Sequence, residues 1–381
     1  MRAANRLGLD YRAEAAAFDR RLRAFDPGEL SGRGGWIIDA HAHINGRRAA
    51  AIWGEAASAY GVERVYTQTQ LGEAEAVRAV LGDRVRFVAI PEYMASDRRH
   101  AMTHGFLEGL ERWHELGARM VKFWGAPRLR DLVEQGGLDA GEFVAFDAPW
   151  RMRVAERAVE LGMMLMVHVA DPDTWFATRY ADASRYGTKA GQYDGLHRLL
   201  EAFDVPCLAA HMGGWPEDLG FLDRLLERHA RLVLDTSATK WMVRELSRHP
   251  SDALLGFLER WRGRVLFGSD IVSTDEHLVE SADPGRFAAG QASDAEGAFE
   301  LYASRYWALR TMFETGYRGE SPIADPDLAM VEPGRFGALD APALTGHALP
   351  GAMLVELYRG ACERTLDAWY EGRAWGTARG G

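Results

Sequence analysis

Trp36-Ile37-Ile38-Asp39-Ala40-His41-Ala42-His43 opens the part of the chain that decides the fold. A short apolar run ends there in a His-x-His pair, and a segment with helical spacing follows. The same unit recurs further along the chain. Apolar runs stand at Val62 to Thr67, Val85 to Ile90, Arg119 to Trp124, Met163 to Val169, Pro206 to His211, Leu232 to Asp235 and Val265 to Gly268, eight with the first. Between them, segments such as Glu73 to Leu81, Phe106 to Leu116, Arg151 to Leu161 and Leu219 to His229 repeat apolar residues near every third and fourth position. Strand alternating with helix predicts an α/β protein with a parallel sheet. Eight units between Trp36 and Asp270 fill a span close to the about 250 residues typical of a (β/α)8 TIM barrel. An open doubly wound sheet would carry a Gly-rich turn after its first strand, where this chain has Asp39 to His43.

The flanks read as additions to the barrel. Residues 1–35 are expected to form an N-terminal helical extension, helical over Met1 to Phe18, with the Gly-rich connector Ser31-Gly32-Arg33-Gly34-Gly35. The barrel is expected over 36–314, including a polar excursion from Ser273 to Gly297 and a helix near Phe299 to Phe313. Residues 315–381 read as a Pro/Gly-rich loop and a C-terminal helix, Ala352 to Tyr370, packed on the barrel.

At 381 residues, 47% hydrophobic and 26% charged, the chain can bury a large core and matches neither a disordered nor a membrane-spanning protein. Lys+Arg 45 against Asp+Glu 55, net charge -10 with no basic block, argues against a nucleic-acid partner. Cys207 and Cys362 sit far apart in apolar stretches and read as buried thiols. No export signal is visible at the start, so a cytoplasmic location is expected, with a small-molecule substrate as partner and no membrane. The added helices are compatible with a homo-oligomer.

Chemistry should collect at the C-terminal ends of the strands, which a barrel turns into one mouth. His41 and His43 project the same way from the first strand. His168 ends the fifth run, His211 the sixth and Asp270 the eighth. Imidazoles and a carboxylate at one mouth suit a borderline divalent ion such as Zn, with Mn or Co as alternatives, and an open position for water. Lys122, one of three lysines with Lys189 and Lys240, lies in the fourth run. Trp124 and Trp175 are expected to wall a substrate pocket, with Tyr93, Phe176 and Trp241 as further aromatics after the same strands. The segment from His168 to Tyr193 is long enough for a lid; its Arg179, Arg185 and Lys189 read first as solvated surface charge and would also suit an anionic substrate. No phosphate-binding loop and no Gly-x-Ser-x-Gly elbow occurs, which removes nucleotide chemistry and a serine nucleophile.

Ile38-Asp39-Ala40-His41-Ala42-His43, the strand-end His168, Ala210-His211-Met212-Gly213-Gly214 and Leu266-Phe267-Gly268-Ser269-Asp270 resemble the amidohydrolase superfamily. The likeness is to its amidohydrolase-related branch, which holds both hydrolases and aminocarboxymuconate-semialdehyde-type decarboxylases. It covers about residues 36 to 270 and resumes from Leu344 to Leu366, with Ala361 where that branch often has Asn. The resemblance implies His41, His43, His168 and Asp270 as metal ligands, with Asp270 also the proton acceptor and His211 a further ligand or general acid/base. Some members carry a carboxylated lysine bridging two ions at the place of Lys122. The likeness to the mononuclear branch implies one metal per chain and Lys122 as a free ammonium facing substrate; carboxylation of Lys122 would make it two. The expected activity is metal-dependent hydrolysis of a C–N (amide or cyclic amide) or ester/lactone bond in a small polar molecule. Nonhydrolytic decarboxylation of an aromatic or unsaturated carboxylic acid is the alternative, and a noncatalytic barrel with a structural metal the third reading.

Overall fold

All eight apolar runs form strands: β1 Ile37–Ile44, β2 Val62–Gln68, β3 Val85–Val88, β4 Met120–Trp124, β5 Met164–His168, β6 Cys207–Ala209, β7 Leu232–Asp235 and β8 Val265–Leu266, with a short β9, Ile271–Ser273, continuing past β8. The computed structural model describes residues 5–25, 36–93, 95–280 and 291–376. Parallel pairing runs in the orders β3-β2-β1-β9 and β4-β5-β6-β7-β8. A parallel bridge between Ala89 and Val121 joins β3 to β4. On the other side the Ala40 amide donates to the Phe267 carbonyl at 2.8 Å, and β9 pairs with β1. The two sheets therefore close into one (β/α)8 barrel.

Strand parity fills its interior. Ile38 and Ala40, Tyr66, Val88, Met120, Met164 and Met166, Leu208, Val233 and Leu266 form one buried cluster inside the barrel. Their neighbours Ile37, Val65, Val121, Leu165 and Leu234 belong to the larger core that the outer helices cover. Period-two alternation produces this split. In β1 the pairing with β2 shifts between Asp39 and Ala42. A bulge there reverses parity, so both Ala40 and His41 can face inward.

The C-terminal helix, from Gly351 to Tyr370, closes the N-terminal end of the barrel. Ala361, Cys362 and Leu366 complete the interior cluster, and the Trp369 indole donates to the Gly162 carbonyl, just ahead of β5, at 2.8 Å. Two π-type stretches widen this helix, and the Leu357 carbonyl accepts the Phe267 amide at 2.9 Å. Cys207 and Cys362 are buried free thiols.

The N-terminal helix begins later than its composition suggests. It spans Tyr11–Phe25, because Asp10 accepts the Arg12 and Ala13 amides, both at 3.1 Å, and so caps its first turn. It packs on the Ala295–Glu314 helix, with the Trp307 indole donating to Glu14 at 3.0 Å. The connector Ser31 to Gly35 and the stretch 281–290 of the polar excursion lie outside the described residues. Among the described residues no helix is long and apolar enough to cross a membrane.

Candidate active site

The mouth at the C-terminal strand ends holds a cavity of about 620 Å³ lined by His41, His43, Gln68, Lys122, Trp124, His168, His211 and Asp270, with Arg128, Arg179, Tyr93, Tyr180 and Tyr186 farther round its wall. That size suits a small organic molecule. Most of the inner residues occupy the inward position next after a core residue: Gln68 after Tyr66, Lys122 after Met120, His168 after Met166, and Asp235, beneath them, after Val233. The strands therefore set the direction of each side chain.

Three turns strain the backbone at this mouth. His211 (φ 59), Ala238 (φ 63) and Asp270 (φ 57) all adopt the left-handed conformation after β6, β7 and β8. Each non-glycine residue there costs about 1–3 kcal/mol, which the surrounding structure must offset. Gly268 sits in a close approach: a Cβ there would lie 3.2 Å from Ser237 Cβ and 3.3 Å from Asp235 Cβ, so a larger residue would push these neighbours by a few tenths of an ångström.

His41 Nε2 and His43 Nε2 lie 3.3 and 3.1 Å from the same oxygen, Asp270 Oδ1. On the other side His41 Nδ1 is 3.1 Å from Asp235 Oδ2. Asp235 is fully buried, and its Oδ1 accepts the His211 and Ser237 amides at 2.9 and 3.0 Å. A carboxylate can only accept, so His41 carries its proton on Nδ1 and turns a lone pair on Nε2 towards the mouth. The Gln68 amide group, 2.7 Å away, is placed to donate to that nitrogen. Imidazole lone pair and carboxylate oxygen thus face each other, an arrangement that a cation between them would resolve. His41, His43 and Asp270 consequently fit a divalent ion. A second close trio, His41, His211 and Asp235, is already satisfied by hydrogen bonds from protein donors.

His168 and His211 stand together rather than with that trio. His168 Nε2 is 3.0 Å from Asp171 Oδ1, and Tyr180 donates to the other Asp171 oxygen at 2.6 Å. His168 therefore donates through Nε2, and its Nδ1 accepts from His211 Nε2 at 2.9 Å. His211 Nδ1 in turn meets the Ser237 hydroxyl at 2.8 Å. Burial, assisted by His168, holds the His211 imidazole well below its ordinary pKa, and burial with Lys122 lowers His41 to about 4, so both rings are neutral at pH 7. Burial raises the Asp270 carboxyl, but His41, His43 and His211 outweigh it and hold the group below the usual range. The Asp235 carboxyl is likewise buried, and His41 brings it down to about 2.

Lys122 is buried, and desolvation lowers its ammonium to about 8 against the pull of Asp235 and Asp270. Trp124 and Tyr93 wall the cavity as a T-shaped pair, ring centroids 5.7 Å apart. Trp175 stands behind Tyr180, ring centroids 6.0 Å apart, with Arg179 stacked 4.3 Å over it, and does not line the cavity. Of the cations in the long segment, Arg179 lines the cavity, Arg185 is paired with Asp131 and Glu134, and Lys189 is buried between Asp173 and Glu217. Lys240 lies 3.8 Å from Asp325. Trp241 donates to Glu217. Asp235, Gln68 and Asp171 escaped the sequence reading; for the first two, inward parity after a core residue was the available signal.

No protein-family model matches the chain, and no curated protein matches it. Among solved structures it is similar to 5-carboxyvanillate decarboxylase from Novosphingobium aromaticivorans, complexed with manganese and a nitrobenzoic acid, at 10% identity over 89% of this chain and 97% of that one, TM-score 0.42. It is similar to a probable 2-pyrone-4,6-dicarboxylic acid hydrolase from Acinetobacter baumannii with citric acid bound, at 12% identity over 70% and 92%, TM-score 0.38. It is also similar to dihydroorotase from Saccharomyces cerevisiae, at 12% identity over 72% and 84%, TM-score 0.39. Likeness this distant assigns neither activity nor ligand. The barrel is established by the chain's own strand order.

Proposed function

We propose that this chain is a member of the amidohydrolase superfamily and uses one divalent metal ion to hydrolyse a C–N or ester/lactone bond in a small polar molecule. The observation that carries this reading is the convergence of His41 Nε2 and His43 Nε2 on Asp270 Oδ1 at the barrel mouth, with His41 held in the tautomer that offers a lone pair. His41, His43 and Asp270 would hold the ion, and His168, whose Nδ1 accepts from His211 and whose Nε2 donates to Asp171, would join as a fourth ligand only by exchanging its bond with His211. A divalent ion there supplies Lewis-acid polarisation of a carbonyl and acidifies water. Zn, Mn and Co all suit two or three imidazoles and a carboxylate.

The residues of the chain perform the remaining steps. Asp270, whose carboxylate is held as a weak base, would accept the proton of the attacking water and pass it to the leaving group. His211 gives its Nε2 proton to His168 in this structure, and would steady the oxygen on which charge develops only by exchanging that bond for one to the substrate. Lys122 attracts a carboxylate or polarised carbonyl, and Trp124 provides an apolar wall.

Nonhydrolytic decarboxylation is the second reading. It draws on the cavity's cations Lys122, Arg128 and Arg179 beside the rings of Trp124, Tyr93 and Tyr186, which suit a planar carboxylate. The deciding experiment is metal analysis of the purified protein, followed by turnover of amides, lactones and aromatic carboxylates with metal restored in 18O-water. Label in the product supports hydrolysis, and CO2 release without label moves the activity to decarboxylation. Metal that does not exchange and no turnover of any class would leave a structural ion closed by four protein ligands. Full turnover by a verified metal-free His41→Ala protein would sink both catalytic readings.

A further inference from the structure

Of the three lysines, Lys122 alone has no partner among the described residues. Lys189 lies 2.7 Å from Asp173 and 3.2 Å from Glu217, and Lys240 lies 3.8 Å from Asp325. Lys122 is only 4% exposed, and its Nζ makes no hydrogen bond or ion pair among the described residues. That nitrogen is nevertheless not one of the polar atoms that are both partnerless and sealed from solvent, so the exposure that remains includes the amine end. Inward parity on β4 turns this end into the main cavity, which Lys122 lines together with His41, His43 and Asp270.

A partnerless amine on a rigid strand, facing an open cavity, is placed as a nucleophile. Burial lowers its ammonium to about 8 against the pull of Asp235, Asp270 and Cys207, and burial keeps the Cys207 thiol protonated. The imidazoles that face it, His41 and His211, are neutral at pH 7. The free amine at pH 7 is therefore about 10²-fold more abundant than on an ordinary lysine. Arg128 and Arg179 line the same cavity without a carboxylate partner among the described residues, and their positive potential favours the entry of an anion.

We propose that Lys122 is a second reactive group of this cavity, whose Nζ condenses reversibly with the carbonyl of a small anionic compound such as a 2-oxo acid to form an imine. The nitrogen lone pair makes the N–C bond while the C=O π pair moves to oxygen. Both amine protons then pass through solvent to that oxygen, which leaves as water as the C=N bond forms. Atoms balance without a further reactant. The inference goes beyond the metal-dependent reaction and stands independently of it, because the adduct is read as a mass on the chain and needs no turnover.

The test uses the full chain as purified, with glyoxylate and sodium cyanoborohydride in bicarbonate-free buffer. Hydride from the reagent reduces the imine carbon and fixes the adduct as a carboxymethyl group on nitrogen. Peptide mass mapping at pH 7 should find Lys122 labelled at least about 10-fold faster than Lys189 or Lys240, at a rate that rises with pH through a midpoint near 8. The ratio of Lys122 to Lys240 labelling should be larger with glyoxylate than with acetaldehyde; equal ratios would overturn the anionic preference. Lys122→Met should lose the fast adduct. Labelling spread evenly over the three lysines, a fast adduct that survives in Lys122→Met, or a Lys122 left unmodified would overturn the imine. Should that variant fail to fold, the wild-type peptide map decides alone.

Discussion

Asp235 governs the site without reaching the cavity. Its acceptor-only oxygens fix the Nδ1 proton of His41 and the backbone of His211, so one carboxylate sets which nitrogen of the proposed metal-binding imidazole offers its lone pair. Asp235→Asn can offer its NH2 instead and release the tautomer. Metal affinity should fall about 10–100-fold, measured by competition with a chelator, while nitrogen NMR of the apo protein shows His41 losing its Nδ1 proton. Unchanged affinity would reduce Asp235 to a packing role. Asp270→Asn keeps shape and removes the basic oxygen, so kcat should drop about 10²-fold or more with the fold intact; near-normal kcat would transfer the proton to His211. Lys122 has its own pH signature. Its folded pKa, about 8, lies below the ordinary 10.5. Between those values the unfolded chain keeps a proton that the folded chain has released, so stability rises with pH through the window, and below it the whole burial cost is present. Metal-free Lys122→Met should therefore be more stable than wild type by roughly 3 kcal/mol below about pH 8, an advantage that vanishes towards pH 10.5. Urea unfolding across that range checks the sign. Metal content should be unchanged, whereas two equivalents falling to one would establish a bridging carboxylated lysine.

At the scale of elements, the strands aim the chemistry and the C-terminal helix closes the barrel's other end. Leu366 is fully buried against the interior cluster that also contains Met164 and Leu208. Leu366→Ala should cost about 2–5 kcal/mol, read from denaturant unfolding, with metal affinity unaltered because the site lies at the opposite strand ends. A parallel loss of affinity would mean that the plug and the mouth are coupled. The same interior explains which elements were legible. Most of β1 to β8 is buried on both faces and reads as short apolar runs bounded by polar turns, with Glu63 and Arg64 in β2 and Arg86 in β3 left half-buried. The start of the N-terminal helix was not legible, because its Arg/Ala/Glu composition extends on both sides of the Asp10 cap.

For the whole molecule, an ion at the mouth would add a tie across the seam where the barrel closes. β1 meets the β8–β9 segment through the Ala40–Phe267 bond, the Asp270 amide on the His41 carbonyl and the β1–β9 ladder, and His41, His43 and Asp270 span that seam. Binding to the folded chain alone should stabilise it by about 2.7 kcal/mol at a hundredfold excess over Kd. Calorimetry should show Tm falling on chelation and recovering with Zn, Mn or Co, and activity should follow the same course. A Tm indifferent to all three would speak against a metal at this seam.

The sequence by itself determined the barrel and most of its mouth. Eight largely buried strands can cover their faces in few other ways, and parity carries His168, Lys122 and Asp270 to the same end. Only the tertiary structure decided which of these residues meet. His41 and His43 converge on Asp270, while His168 turns to His211 and Asp171, because the bulge in β1 and the left-handed turns after β6 and β8 redirect their side chains. Trp175 and Trp124 looked equivalent in the chain, yet only Trp124 leaves a strand end and lines the cavity. Spacing along a strand specifies a face; the direction taken beyond its end depends on contacts with residues distant in sequence.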